Sequence, residues 1–423
     1  MSDQDQHQVF VGVDTHADTH HVAIITDYGK PLTDQEFPAT SSGYRTIVEF
    51  ITAHGDVGGV GIEGTGTYGA ELTKTLRRAG FAVIEVNRPN RQERRLHGKS
   101  DPLDAYQAAR SVLAGTSTAV PKAKDGPVEC LRVLRAGRAS ALKARTATIN
   151  QIRDILVSAT DEIRAKYRGI ATTPMITTMA RSRPTGHLAD PDYVTARVLR
   201  TLASRYQHLT IEIDAATESL QEILDSYAPL LCDLPGVGTD VASQLLVTVG
   251  DDKQRINNEA QFAALAGVAP VPASSGKSTR HRLSRGGDRH ANSALHHIVL
   301  VRMGTDSRTR DYVDKRTAEG RSKREIMRCL KRYVAREVYR QITNPVPAPT
   351  FTDIRPLRRE LGITLQHAAE HLHQWPSYLS RLERGRTRND ALLTQHRQLL
   401  NDHHGLSAPR CTADPRPLPT LRT

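Results

Sequence analysis

Apolar and polar positions change their period several times along the chain, and those changes mark its parts. From residue 8 to 115, short apolar runs alternate with helical spacing. Val9–Val13 and His21–Thr26 read as strands, Val57–Glu63 as another that ends in Gly64-Thr65-Gly66, and Phe81–Val86 as a further one. Tyr68–Ala79 has helical spacing closed by Gly80, and Asp101–Leu113 is helical. Strands alternating with helices predict an α/β domain with a mixed or parallel sheet. Residues 116–127, TSTAVPKAKDGP, read as a linker.

Beyond the linker the period becomes helical throughout. A long helix is predicted over 128–168, where Leu142, Ile149, Leu156 and Ile163 recur every seven residues. Residues 170–190 read as a loop containing Pro174, Pro184 and Gly186. Leu199, Leu202, Tyr206, Leu209, Ile213 and Ala216 then open a seam of alternating three- and four-residue steps that runs on to Leu230. Such an a/d seam makes 126–230 a coiled-coil region. It fits one intramolecular antiparallel pair and a dimerising coiled coil equally well. Residues 231–342 form another helical unit. Its Pro235-Gly236-Val237-Gly238 turn resembles a helix-hairpin-helix, whose N–H groups can approach phosphate, and also suits a simple αα corner. TNPVPAPT at 343–350 marks a boundary, 351–400 is helical again, and 403–423 has the Pro- and Arg-rich composition of a disordered tail.

Composition narrows the class. No stretch approaches the ~18 consecutive apolar residues of a membrane-spanning helix, and the polar start MSDQDQHQ lacks the features of a secretory signal. Cys130, Cys232, Cys329 and Cys411 lie far apart with no zinc spacing, as suits a reducing, cytoplasmic setting. Net charge is +12, and residues 277–340 alone hold 18 Lys and Arg against 7 Asp and Glu, a net of +11. Arg dominates that block, and its planar fork matches phosphate, so the block reads as the footprint of a nucleic-acid binder, with a solvated helix face as the alternative. Aromatics are only 4%, which leaves base stacking without an obvious platform.

Four carboxylates stand where an α/β site forms. Asp14 ends the first strand in VFVGVDTHADTHH, and Glu63 ends another in GIEGTGTYG. Ligands gather outside the carboxyl ends of such strands. Asp101 and Asp104 open a helix in KSDPLDA, on one face. Four converging acids need cations between them, and oxygen ligands suit Mg²⁺ or Mn²⁺, a pair of which can act on a phosphodiester. Asp101-Pro102-x-Asp104 is also the pattern of a capped helix start, with Asp101 at the N-cap.

VGVDTHADTHH, GIEGTGTYG and KSDPLDA together resemble the three blocks of the RuvC-like, RNase H-fold domain of DEDD-type insertion-sequence transposases, the recombinases associated with a bridge RNA. The resemblance implies Asp14, Glu63, Asp101 and Asp104 as the metal-binding quartet. It extends over roughly 8–342. FAALAGVAPVPASSGKSTRHRLSRGGDRHANSALHH is similar to the C-terminal transposase domain of that family, where a Gly-x-x-Pro turn precedes a Ser-Gly pair. On that match Ser275 is the nucleophile, with Ser274 as the off-by-one alternative. Gly287-Asp288 departs from the more frequent Gly-Asn. The family implies a transient phosphoserine, donor and target DNA, a structured guide RNA, and a homo-oligomer whose serine and quartet meet across subunits. Lys277, Arg280, Arg282 and Arg285 follow the serine and are candidates for phosphate.

Residues 353–386 look like a Cro/repressor-type helix-turn-helix. Thr364 would cap its second helix, and Trp375-Pro376-Ser377 would start the recognition helix, with Ser377, Tyr378 and Arg381 toward base edges. The leading expectation is a Mg²⁺-dependent DNA transposase/recombinase. Its rivals are a RuvC-like junction nuclease that needs no serine, a non-catalytic DNA-binding regulator acting through 353–386, and an actin-like sugar kinase, which the lack of a matching second half disfavours.

Overall fold

The structure is a computed structural model that describes residues 8–86, 100–274, 281–284, 286–347, 351–385 and 389–404. The chain divides into two compact units, Met1–Leu220 with Leu246–Asn258 and Gln221–Leu245 with Glu259–Thr423.

Unit one is built on five strands: β1 (Gln8–Thr15), β2 (Thr19–Thr26), β3 (Pro31–Pro38), β4 (Asp56–Glu63) and β5 (Val83–Val86). Their order is β3-β2-β1-β4-β5. β1, β2 and β3 form an antiparallel meander, whereas β4 and β5 run parallel to β1. Side chains alternate between the two faces of a sheet. Val9, Val11 and Val13 thus share one face with Val22, Ile24, Val60 and Ile62. That face buries the apolar stripes of α1 (Ser41–Thr52) and α2 (Ala70–Arg78), including Ile47, Ile51, Leu72 and Leu76.

The opposite face is built for close approach. Gly12, Ala23 and Gly61 stand side by side on β1, β2 and β4. Helix α3 (Asp101–Leu113) lies over them through Ala105, Ala108, Ala109 and Val112. A Cβ on Gly12 would stand 1.9 Å from the Ala105 carbonyl oxygen, and one on Gly61 would stand 2.8 Å from that of Ala108. Only hydrogen at those two positions lets the helix backbone rest on the sheet.

β3 and α1 were not anticipated. β3 buries only Phe37 and carries no apolar alternation. α1 does carry a signal, with Tyr44, Ile47 and Ile51 at helical spacing and the Thr40 hydroxyl accepting from the Gly43 N–H at 3.2 Å. The stretch read as a linker is pinned instead. Glu85 N–H donates to the Ala119 carbonyl at 2.7 Å, Lys122 Nζ to that of Val247 at 2.6 Å, and Arg255 Nε to that of Val120 at 2.8 Å.

The continuous helix expected over 128–168 breaks. α4 (Pro127–Ser158) stops where Ala159 and Thr160 turn extended, and α5 (Asp161–Tyr167) follows. The loop expected over 170–190 holds α6 (Thr172–Arg181), with Pro174 in its first turn, where no N–H is required. α7 (Pro191–Tyr227) runs antiparallel to α4, since Arg138 Nε meets Thr217 Oγ1 at 2.8 Å and Arg145 Nη1 meets Thr210 Oγ1 at 3.4 Å. Ile149, Ile152, Met175, Met179 and Leu199 fill the space between α4, α6 and α7. Within the chain the seam therefore serves an intramolecular pair.

In unit two a 3-10 turn at Pro229–Leu231 leads to the Pro235–Gly238 corner and α8 (Thr239–Val249). α9 (Glu259–Leu265), the short hairpin β6 (Val271–Pro272) and β7 (His281–Arg282), α10 (Arg289–Thr305), α11 (Ser307–Ala318) and α12 (Lys323–Thr343) follow. Gly236 packs against the Ile298 backbone, and the buried Arg302 donates to the Pro235 carbonyl at 2.7 Å, as in a packed αα corner. Asp288 is the N-cap of α10, accepting from His290 and Ala291 N–H at 2.8 and 3.2 Å.

The C-terminal module has α13 (Ile354–Glu360), α14 (Leu365–His371), α15 (Pro376–Glu383) and α16 (Asp390–His404). Ile354, Ala368, Ala369, Leu379, Leu382 and Leu393 form its core. Arg358 and Glu383 make a buried two-pronged pair at 2.6 and 2.9 Å. His396 is wholly buried beside it, 3.8 Å from Glu383 Oε1, and burial lowers its pKa from the ordinary 6.5. Among the described residues, no helix is long and apolar enough to cross a membrane.

Two predictions test this packing. Gly12→Ala must lift α3 off the sheet and should cost about 3 kcal/mol or more, lowering the melting point of unit one by ~6–12 °C in calorimetry. The depressed pKa of His396 means that the unfolded state takes up its proton first as pH falls through the ordinary histidine range, so stability is lost in that window. His396→Leu should flatten the pH 7 to pH 5 fall in melting temperature; an unchanged slope would exclude His396 as its source.

Candidate active site

The glycine-floored packing of α3 brings its first turn to the carboxyl end of β1. Asp14, next after Val13 on β1, stands level with Glu63, next after Ile62 on β4, and both face α3 by strand alternation. Asp14 is 6% exposed and Asp104 is buried, whereas the side chains of Asp101 and His16 are 44% and 43% exposed. The centre is thus closed on the sheet side and open at the helix start.

His16 is the residue that ties it together. Its Nε2 lies 3.1 Å from Asp14 Oδ2 and 3.3 Å from Asp101 Oδ1. Ligand atoms of Asp14, His16 and Asp101 all lie within 4.8 Å of one another. The N-cap of α3 is Ser100, and no side chain caps the helix. Asp101 is therefore not the cap that its sequence pattern allowed; its carboxylate serves the cluster.

Burial raises the Asp14 carboxyl above its ordinary 3.8, the His16 imidazole pulls it back, and Asp104 and Asp101 push it up again. Glu63 is positioned through its backbone. Thr15 Oγ1 donates to the Glu63 carbonyl at 2.8 Å, and Lys124 Nζ donates to the Gly66 carbonyl in the turn that follows. Beside Asp14, in register on β2, His21 pairs with Asp34 at 2.7 Å, and Tyr106 Oη donates to Asp34 at 2.9 Å. Burial first, and then the Asp34 bond, pushes Tyr106 up to about 12.

His16, Lys124 and the His21–Asp34–Tyr106 group escaped sequence reasoning. A histidine two residues after Asp14 was a readable signal, since a strand end places i and i+2 on one face. Lys124 gave none, because its partner is 58 residues away.

In unit two, Arg282 on β7 lines an open cleft of about 900 Å³ together with Arg316, Arg321, Arg328, Arg332 and Arg336. Not every arginine of the basic block is available to a ligand. Arg336 and Arg332 pair with Glu259 at 2.9 and 3.5 Å, and Arg302 pairs with Glu337 at 2.6 Å. Ser274 follows β6 and is exposed. Ser275, Lys277, Arg280 and Arg285 lie outside the described residues. On α15, Ser377 and Arg381 are exposed, and Tyr378 is half-buried with the Arg381 guanidinium 5.8 Å from its ring centre.

Two family profiles match in chain order. Residues 11–160 match the DEDD domain of IS110 elements, described as Transposase. Residues 228–314 match Transposase IS116/IS110/IS902 family. The chain belongs to the IS110/IS116 family of DEDD transposases. This transposase is 25% identical, over 78% of its length and 93% of the relative's, to the uncharacterized 43.6 kDa protein of insertion element IS110 from Streptomyces coelicolor. It is 24% identical, over 77% and 93% of the two lengths, to the uncharacterized 42 kDa protein of insertion element IS900 from Mycobacterium paratuberculosis. It is 30% identical to the transposase for insertion sequence element IS1328 from Yersinia enterocolitica, over 37% of this chain and 49% of that one.

A carboxyl whose pKa burial has raised is a net burden to the folded state once pH exceeds its ordinary range. Asp14→Asn should therefore keep or raise the metal-free melting temperature of unit one, by about 2–4 °C per kcal/mol relieved. The same variant should lose strand cleavage. A clear fall in melting temperature would mean that Asp14 is a structural carboxylate.

Proposed function

We propose that this transposase breaks and rejoins DNA at a centre formed by Asp14, Glu63, Asp101 and Asp104, with the Ser275 hydroxyl as the attacking group. The observation that carries the reading is the convergence of Asp14, His16 and Asp101 at the carboxyl end of β1. Carboxylates joined by one imidazole suit a hard or borderline divalent cation, Mg²⁺ first and Mn²⁺ as the alternative. Such an ion, when bound, supplies positive charge against the phosphodiester and its leaving oxygen. Asp14 and Asp101 would hold that ion, and Asp104 would add its charge from the same first turn of α3. The Thr15 hydroxyl on the Glu63 carbonyl would keep Glu63 level with Asp14, with Lys124 on the Gly66 carbonyl of the following turn.

The serine assignment rests on the family resemblance. The Ser275 hydroxyl gives up its proton, its oxygen bonds to phosphorus, and the oxygen of the cut strand leaves and is protonated. One phosphodiester replaces another, so the energy of the bond is kept and a second strand end can displace the serine without an external energy source. Arg282 and the cleft arginines suit phosphate neutralisation along donor and target DNA, and Ser377, Tyr378 and Arg381 suit base contacts from the C-terminal module. A structured guide RNA and a composite site shared by two or more copies of the chain are proposed from the resemblance alone.

The test is adduct trapping with Mg²⁺ and element-end DNA. Wild type and Ser274→Ala should leave a protein–DNA adduct that survives denaturant, and Ser275→Ala and Asp14→Asn should not. Cleavage by hydrolysis with no adduct, undiminished in Ser275→Ala, would make the protein a junction nuclease instead.

A further inference from the structure

Three histidines gather on the C-terminal module and have no part in the reaction proposed above. His367 and His371 stand one turn apart on α14, and His403 reaches them from the last turn of α16. Their ring centres are 4.8 Å apart for His367 and His371, 6.1 Å for His367 and His403, and 6.5 Å for His371 and His403. All three are exposed, and among the described residues their ring nitrogens make no hydrogen bond.

Two histidines at i and i+4 on a helix are spaced to share one ion. With metal–nitrogen bonds of about 2.0–2.1 Å, the ring centres of imidazoles on a tetrahedral ion stand roughly 5 Å apart. The His367–His371 pair already has that spacing. His403, at 6.1 and 6.5 Å from the two, is roughly 1–1.5 Å beyond it, a gap that turning an exposed side chain can close. We propose that His367, His371 and His403 bind a divalent transition-metal ion of the Zn²⁺ class, which clips α14 to α16.

The module has reason to use such a clip. It spans residues 351–404 and rests on one small core. At that size a hydrophobic core leaves little margin, and metal ions are a recurrent staple. α14 is followed directly by α15, which carries Ser377 and Arg381, so a clip on α14 steadies the helix pair that would meet DNA. Imidazole donors favour Zn²⁺, Co²⁺, Ni²⁺ or Cu²⁺ over Mg²⁺, so this site and the carboxylate centre select different ions.

The test is a Co²⁺ titration of the full-length protein in excess Mg²⁺, followed by visible absorption. Wild type should take up one equivalent with a ligand-field spectrum that Zn²⁺ abolishes. His403→Ala should weaken binding by roughly tenfold to a hundredfold, on the scale of lost supporting interactions at metal sites. His403→Cys should bind and add a sulfur charge-transfer band, which shows that the position itself is a ligand. Asp14→Asn should leave the signal in place. Co²⁺ binding that survives His403→Ala undiminished, disappears in Asp14→Asn, or is absent from wild type would overturn the proposal.

Discussion

The contact between α3 and the sheet is the constraint on which the rest of unit one depends. A helix normally stands off a sheet by the thickness of its side chains. Here hydrogen at Gly12 and Gly61 and small side chains at Ala105, Ala108 and Ala109 remove that thickness. The close approach lowers the start of α3 to the level of the β1 terminus, and the two aspartates of that turn arrive beside Asp14. A single methyl on Gly12 would separate the carboxylates without touching any of them. Stability and chemistry are coupled through packing here, not through the site residues themselves.

The acidic centre is costly to assemble, and the structure shows how the cost is contained. Asp14 is buried, and its neighbours Asp101 and Asp104 add repulsion, so its carboxyl resists ionisation. His16 offsets part of that by touching two carboxylates at once. Exposure rises from Asp14 to Asp101, which leaves one side of the centre open to solvent. The Thr15 hydroxyl on β1 holds the Glu63 carbonyl, and Lys124, far away in sequence, holds the Gly66 carbonyl in the turn that follows. The segment carrying Lys124 looks like a linker in composition because its work is done by two lysine side chains, Lys122 and Lys124, and by backbone groups.

Unit two uses its basic residues in two ways. Arg302 is a structural residue that braces the Pro235–Gly238 corner, and Glu259 engages Arg332 and Arg336. Arg316 and Arg321 of the cleft pair with Glu319 and Glu325, and among the described residues Arg282 and Arg328 make no ion pair. Net charge per segment counts both kinds alike, so it does not resolve which side chains are open to a ligand. The C-terminal module repeats the lesson: Arg358 lies in its core, paired with Glu383, while Arg381 points outward.

The sequence by itself determined the elements with strong local periodicity. β1, β2, β4, β5 and α3 were legible from alternation and helical spacing, and the long seam on α7 was legible from its steps of three and four. Four acidic candidates were legible because strand ends and helix starts are local events. Contacts between distant segments were not. β3 is a polar edge strand held by its neighbour's hydrogen bonds, and α6 carries in its first turn a proline that a helix tolerates only there. The break at Ala159 and the strap at Lys122 and Lys124 likewise depend on what packs against them. Only the tertiary structure could decide that Asp101 faces His16 instead of capping its helix, and that α7 pairs within its own chain. Local sequence sets what a segment can form, but which of two compatible partners a side chain meets depends on where the rest of the chain places them.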